Sequence, residues 1–453
     1  MTDVARASGG LAPVVDPRLH LSEPARGAPD SDGLRLLMLA LAVVCLFHGG
    51  LLPFTHGNTY DAFIHMFFGD SYHRSWFDVW EPRWYTGFAT TSYPPGTHMA
   101  IGALQYVMPL RAAFVVTMLA GLILLTIGVY RYALIWVEPR AAGYAAISLA
   151  LSSSISETVH LFGQLPTIFS LGVFLNGLPS VYGWIVGERW RDFLTAVLFA
   201  CATTAAHYVT TLFGSVLFIL PLAPLALRVV AELNAEKTRK QRLQSLFWAF
   251  SPGIFLAVFM IGSIVITVLP YWIWSINDPI TQVPIPHGSR ENFLEKPQLG
   301  LIFFVLPWGI ALFALPYVFV TSLRTRMFPL GLAVFLGFVL GTGGTTPLPR
   351  AMLRGAFDIL TLDRFTFWAT ILNCPSWGEC SKAFSTGARA MCFARRSAVA
   401  GTVRWSGAGF SGWSAPVSSS RSCPPSSRCS RDSWTPRRSC SSSKRTSMTA
   451  GAI

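Results

Sequence analysis

The segment Asn58-Thr59-Tyr60-Asp61-Ala62-Phe63-Ile64-His65-Met66-Phe67-Phe68 carries the side chains best placed to do chemistry. Asp61 and His65 are four residues apart, so on a helix they share a face and are open to a catalytic or ligand role. A metal site built on the pair stays open, but two ligands are too few to assign one. Asp61 also has a purely structural reading, in which Thr59 or Asn58 caps the helix and Asp61 stabilises its first turn. Further on come Trp80-Glu81-Pro82-Arg83-Trp84-Tyr85-Thr86-Gly87 and Ser92-Tyr93-Pro94-Pro95-Gly96. Glu81 and Arg83 can pair with each other. The Trp and Tyr rings suit a bilayer interface. Aromatic platforms beside carboxylates equally suit sugars, whose C–H faces stack on rings, and the residue types leave both readings open. Pro94-Pro95 ends one element and can start a helix.

The elements that must hold these groups are membrane spans. Mean hydropathy is +0.47, only 13% of residues are charged, and apolar runs of span length recur. The fold class predicted is all-α: a polytopic transmembrane protein over 33–373, with spans near 34–54, 112–136, 141–157, 166–186, 193–206, 207–230, 247–270, 299–321 and 327–343. A tenth starts near Asp363 and is cut short. Residues 1–32 read as a disordered cytoplasmic lead without a signal-peptide cleavage site. Arg35, Arg131 and Arg140, Arg189 and Arg191, the Lys237–Arg242 cluster, and Arg324 and Arg326 are all cytoplasmic if 96–110 does not cross. That segment contains His98, Gln105 and Pro109 and is short, which suits an interfacial helix. The outer side then receives the long loop 55–111, the stretch from Glu157 through His160 to Gln164, His207, the loop 271–298 and the loop 344–362. Long loops with such polarity tend to bind or catalyse.

The last 80 residues differ in kind. Residues 374–453 hold six of the eight cysteines, 20 serines, and 12 Lys+Arg against Glu379 and Asp432, so 12 − 2 gives +10 of the net +13. They carry no helical or strand period and read as a disordered basic tail. If Ser376 has a TCN codon, the codons of Asn373-Cys374-Pro375-Ser376-Trp377-Gly378, read from the third base of the Asn codon, give Leu, then Pro or Ser, then Phe/Leu/Ile/Val, then Leu/Val/Met, then Gly. That apolar continuation would extend the last span, which points to a frameshift. The cysteine spacing contains no CxxC pair, so it does not suggest zinc. The scattered arginines form no helical stripe, which argues against nucleic-acid binding.

An acid in the first outer loop, W-x-P-x-W-Y-x-G, Y-P-P, Gly163-Gln164-Leu165-Pro166, Thr204-Ala205-Ala206-His207 and Leu362-Asp363-Arg364-Phe365-Thr366-Phe367-Trp368 occur in order along 34–373. In this the chain resembles integral-membrane glycosyltransferases of the GT-C superfamily. It is most similar to the bacterial membrane family labelled 6-pyruvoyl-tetrahydropterin synthase-related, although no soluble pterin domain is present. The resemblance implies transfer of a sugar from a polyprenyl-phosphate donor to an acceptor on the non-cytoplasmic face, in a bacterial inner membrane. It makes Asp61 the base, with His65 beside it. It makes Arg83, Arg290, Arg350 and Arg364 phosphate partners and lets His207 contact the donor. On a continuing helix Glu157 and His160 are close in space, and one of them is a candidate second acid or metal ligand, with Gln164 on the same side. Glu81 and Tyr93 join the substrate-binding set. No cofactor is fixed, and a divalent cation is compatible. The expected partners are membrane lipids and the lipid-linked sugar; protein partners are unknown.

Such enzymes usually continue into further spans and an outer domain, so this chain could be inactive. A transporter or flippase of lipid-linked sugars is the rival reading. It would favour midplane charges and repeated halves. No repeat is evident here, and the acids lie in loops near span ends. A non-catalytic membrane subunit would need neither the Asp61/His65 nor the Glu157/His160 pair.

Overall fold

A computed structural model describes residues 31–385 apart from 79, 85, 91–92, 234–237 and 278–285. Most of the expected lead, Lys237 and the tail beyond Ser385 lie outside the described residues. The described chain is almost wholly helical, as its apolar runs require: a backbone in lipid must satisfy its own polar groups.

The first span enters as α1 (Ser31–Val43), passes through a π-helical turn (Val44–His48) and continues as α2 (Gly49–Thr55). The outer loop builds α3 (Ala62–Arg74), a two-stranded antiparallel ribbon of β1 (Trp80–Glu81) and β2 (Phe88–Ala89), and α4 (Gly96–Leu104). As expected, α4 is too short to cross, and it packs on α3. Then come α5 (Leu110–Trp136), α6 (Pro139–Ala150), the short α7 (Ser153–Glu157), a second π-helical turn (Thr158–Phe162), α8 (Leu165–Gly187) and α9 (Trp190–Ala206). Next are α10 (Tyr208–Gly214), α11 (Leu222–Leu233) and α12 (Arg239–Asn277). The span read at 299–321 is broken. Its pieces α13 (Pro297–Gly300) and α14 (Leu306–Trp308), joined by a π turn (Leu301–Val305), meet α15 (Ala311–Ser322) at a 59° bend. Gly309, at φ +48°, makes that corner, a conformation L side chains rarely adopt. α16 (Phe328–Gly341), α17 (Leu348–Leu353) and α18 (Asp363–Ser385) complete the fold.

Among the described residues, five helices are long and apolar enough to cross a membrane, or six if the bent pair is one span. α8 is the central one: 83% of its most apolar window is buried, against 22% for Phe250–Pro270 of α12, whose apolar side chains are left to lipid. α5 and α8 approach backbone to backbone. A Cβ on Gly172 would lie 2.8 Å from the Leu125 amide nitrogen, so the crossing needs a residue with no side chain. Asn176 of α8 donates to the Leu124 carbonyl at 2.8 Å and accepts from Arg131 at 3.2 Å.

The last helix departs from expectation. It does not stop at Asn373 but runs unbroken to Ser385, along the alanine-rich face of α6. A Cβ on Gly378 would meet the Ala141 carbonyl, Cys374 is 6% exposed, and Lys382 pairs with Glu138. The boundary read at 373/374 is therefore not a boundary of the helix.

Candidate functional site at one end of the helices

The first loop is laced to the segment before α8. The amides of Tyr60 and Asp61 donate to the carbonyls of Leu161 (3.2 Å) and Phe162 (2.9 Å). Gly163, at φ +70°, makes the turn beneath them, where a Cβ would collide with Thr59 Oγ1. Thr59 caps α3, its Oγ1 accepting from the Ala62 amide at 3.2 Å. Asp61 occupies the N-cap position with no side-chain capping bond, so its carboxyl group is not consumed by the helix start. Burial pushes that carboxyl up to about 6; nearby Asp363 adds to the rise and Arg364 opposes it.

Asp363 and Arg364 open α18. Their approach is fixed from other loops at the same end of the helices. The Leu362 amide donates to Ser289 Oγ at 2.8 Å, Ser289 is bonded to His287, and Gly344 donates to the Glu291 carbonyl at 3.0 Å. Gln164 donates to Asp363 Oδ2 at 3.0 Å. Arg364 donates twice to Thr361 Oγ1, at 3.1 and 2.9 Å. Asp61, Tyr93, His207 and His287, from four separate segments, lie within electrostatic reach of its guanidinium.

Beside this group stands a wall of rings. His65 Nδ1 and His98 Nε2 are 3.1 Å apart, with the proton's position set by the tautomers. Tyr93 sits against His98 and stacks on His207, at ring separations of 5.4 and 6.4 Å. His207 is bonded to Thr210, and Thr210 to Ser170. The N-terminus of α4 is pinned there, since Thr97 donates to the Ala206 carbonyl at 3.3 Å. Burial lowers all three imidazoles, His98 to about 4 and His207 to about 3, so they are neutral at physiological pH.

The sequence-derived candidates thus divide. Asp61, Tyr93, Gln164, His207 and Arg364 converge, with His65 behind Tyr93. Glu157 lies within electrostatic reach of Asp363. His160 does not join it. The π turn that begins at Thr158 alters the angular step, and His160 faces His48 (3.0 Å) and Thr55 (2.8 Å) instead. Glu81 and Arg83 pair with each other at 2.6 and 2.7 Å, and Arg83 also reaches Asp70 and lies over the Phe67 ring. Arg83 holds the Glu81 carboxyl down, to about 2. Arg290 donates to the Asp358 carbonyl, and Arg350 bonds Asp358 and covers Phe357. Asp363, His98 and His287 complete the site without having been singled out for it. Asp363 was visible as the neighbour of Arg364, whereas His98 registered only as a polar interruption of α4.

Among the described residues no group of three His, Cys, Asp or Glu side chains stands ready to hold a metal ion. Glu157 Oε1 and Asp363 Oδ1 are buried carboxylate oxygens without a hydrogen-bond partner, and two such atoms fall short of a divalent-cation shell.

No family model matches the chain, and no curated protein matches its sequence. Among solved structures, the Archaeoglobus fulgidus oligosaccharyltransferase in the apo form is similar at a TM-score of 0.44 and 14% identity, over 81% of this chain and 52% of that one. The archaeal oligosaccharyltransferase AglB from the same organism, in complex with an inhibitory peptide and a dolichol-phosphate, is similar at 0.42 and 12%, over 78% and 52%. The chain spans about half the length of both structures. Likeness at this level carries no assignment.

Proposed function

We propose that the chain is a GT-C-type integral-membrane glycosyltransferase that moves a sugar from a polyprenyl-phosphate carrier to an acceptor hydroxyl. The reaction takes place on the non-cytoplasmic face of a bacterial inner membrane, with the N-terminus cytoplasmic. The observation that carries this reading is the convergence of an uncapped, half-buried Asp61 carboxyl with Arg364 at the outer ends of the helices. An acid near 6 is mostly ionised at pH 7 yet still basic enough to take a proton. Asp61 removes the acceptor proton as the acceptor oxygen attacks the anomeric carbon. The bond from that carbon to the phosphate oxygen breaks, and the leaving phosphate takes the electron pair against Arg364. Tyr93 and His207 offer neutral, ring-rich walls to the sugar.

One feature favours the flippase reading: the bent span at Gly309, since broken helices recur in transporters. Labelled polyprenyl-phosphate sugars separate the two. Transfer to an acceptor that Asp61→Asn abolishes supports the enzyme. Movement of intact lipid-linked sugar across liposomes, with no donor consumed, supports the flippase. The same assay shows whether this chain is inactive. The frameshift proposal for 374–453 is tested separately, by sequencing codons 360–380 and reading all three frames downstream.

A further inference from the structure

The far end of α3 presents an apolar patch that the fold leaves uncovered. α3 ends at Arg74, and the chain then turns sharply over residues 75–78. Ser75 Oγ accepts from the Asp78 amide at 3.2 Å, and Asp78 Oδ1 accepts from the Trp80 amide at 3.0 Å. The turn is therefore held in shape by its own side chains. Phe77, at its tip, is 95% exposed. A partner that covers this ring meets a backbone already ordered, which removes one of the usual costs of binding.

Trp76 fixes the level at which the tip lies. Its Nε1 donates to the Tyr106 hydroxyl at 2.9 Å, and His73 packs on the Tyr106 ring at a separation of 4.6 Å. Tyr106 and Val107, 62% and 79% exposed, belong to the turn between α4 and α5. α5 then runs through 19 residues, 112–130, without a charge between Arg111 and Arg131. Such a stretch is ~28 Å long, close to the ~30 Å of a hydrocarbon core. The exposed Arg111 accordingly marks one polar boundary of the span, and Val107 lies just before it. The bond from Trp76 brings Phe77 to that same boundary. Tryptophan and tyrosine are the residues a bilayer interface favours, each with an apolar ring and a polar tip. The neighbouring charges are mostly paired: Arg74 with Asp70 at 2.8 Å, and Arg83 with Glu81 at 2.6 Å and with Asp70. Asp78 is exposed beside Phe77 and keeps any insertion shallow, because a carboxylate does not follow a ring into hydrocarbon without cost.

We propose that Phe77 and Val107 dip between the lipid headgroups at this end of the helices and anchor α3 to the bilayer surface. Lipid then holds one end of α3, while the carbonyls of Leu161 and Phe162 hold the other, where Asp61 stands at the N-cap. The anchor is independent of the transfer reaction proposed above. The test uses the full chain in lipid nanodiscs, with para-trifluoromethylphenylalanine in place of Phe77 and, in a second preparation, of Val107. Both side chains are exposed, so neither replacement disturbs the core. The fluorine signal is recorded with lipids that carry a nitroxide high on the acyl chain, and separately with a water-soluble gadolinium chelate. Both positions should lose their signal to the nitroxide lipid and keep it with the chelate. Loss to the chelate alone would show the tip in water. Equal loss to both reagents would place it outside the headgroups. Signals that survive both reagents would mean that protein, such as a second copy of the chain, covers the patch. Each of these three results would overturn the proposal.

Discussion

Asp61 stands where a helix-capping acid would stand, and Thr59 does the capping instead. If Asp61 is the base, the transfer rate should rise with pH through about 6 and level off above it. Asp61→Asn should abolish that limb and cost about 10²–10⁴ in rate, the range for a positioned acid or base. The stability effect has the opposite sign. The folded-state value lies above the ordinary 3.8, so the native state holds this proton more tightly than the unfolded chain does. The group therefore lowers stability as pH rises between those two values. At pH 7 the Asn variant should melt no lower than the parent, and a lower melting temperature would mean that lost activity reflects damage to the fold. Gly163→Ala should do what Asp61→Asn does not. It places a Cβ against Thr59 and strains a positive φ, costing about 1 kcal/mol or more and displacing Asp61. A melting curve in detergent and the transfer assay together check it. Asp61 and Gln164 were legible because an acid in a long outer loop and a Gly-Gln-x-Pro turn announce themselves. His160 was misplaced because nothing in its residue type signals a π turn. His98 was missed because a lone histidine on a short apolar helix looks like an interruption, and only folding shows that it faces His65.

Elements follow sequence where bilayer thickness dictates them. The long spans fell within a few residues of their apolar runs, because a run of span length has few other stable fates. The breaks at Leu151–Ser152 and Gly309 were not legible, since a corner built from one glycine leaves the composition of the segment unchanged. The crossing of α5 and α8 supplies a test at this scale. Gly172→Leu should force the helices apart and lower the melting temperature by several degrees, because close packing rather than hydrophobic burial holds helices together in lipid. The ribbon of the outer loop supplies another. Arg83→Met should strand the buried Glu81 carboxylate and destabilise the loop by roughly 1–3 kcal/mol. Hydrogen exchange over residues 70–90 would show faster opening, with spans α5 and α8 unchanged.

At the scale of the molecule, one helix serves both ends. α18 presents Asp363 and Arg364 to the candidate site and fixes its far end through Lys382 and Glu138. Ending the chain at Asn373 should therefore lower the melting temperature relative to ending it at Ser385. Equal melting would show that residues 374–385 contribute nothing to the packing of α6. The central position of α8 bears on how the protein comes into being. Its hydropathy, 1.4, is the lowest of the five candidate spans, and its polar residues Thr167, Ser170, Asn176 and Ser180 are all buried by neighbours. Alone in the lipid beside an insertion channel, α8 would offer Asn176 only its own Gly172 carbonyl and leave the side-chain oxygen without a donor. With α5 already inserted, the Leu124 carbonyl and Arg131 are waiting. The helix least able to enter a membrane by itself is thus the one whose entry depends most on what was synthesised before it.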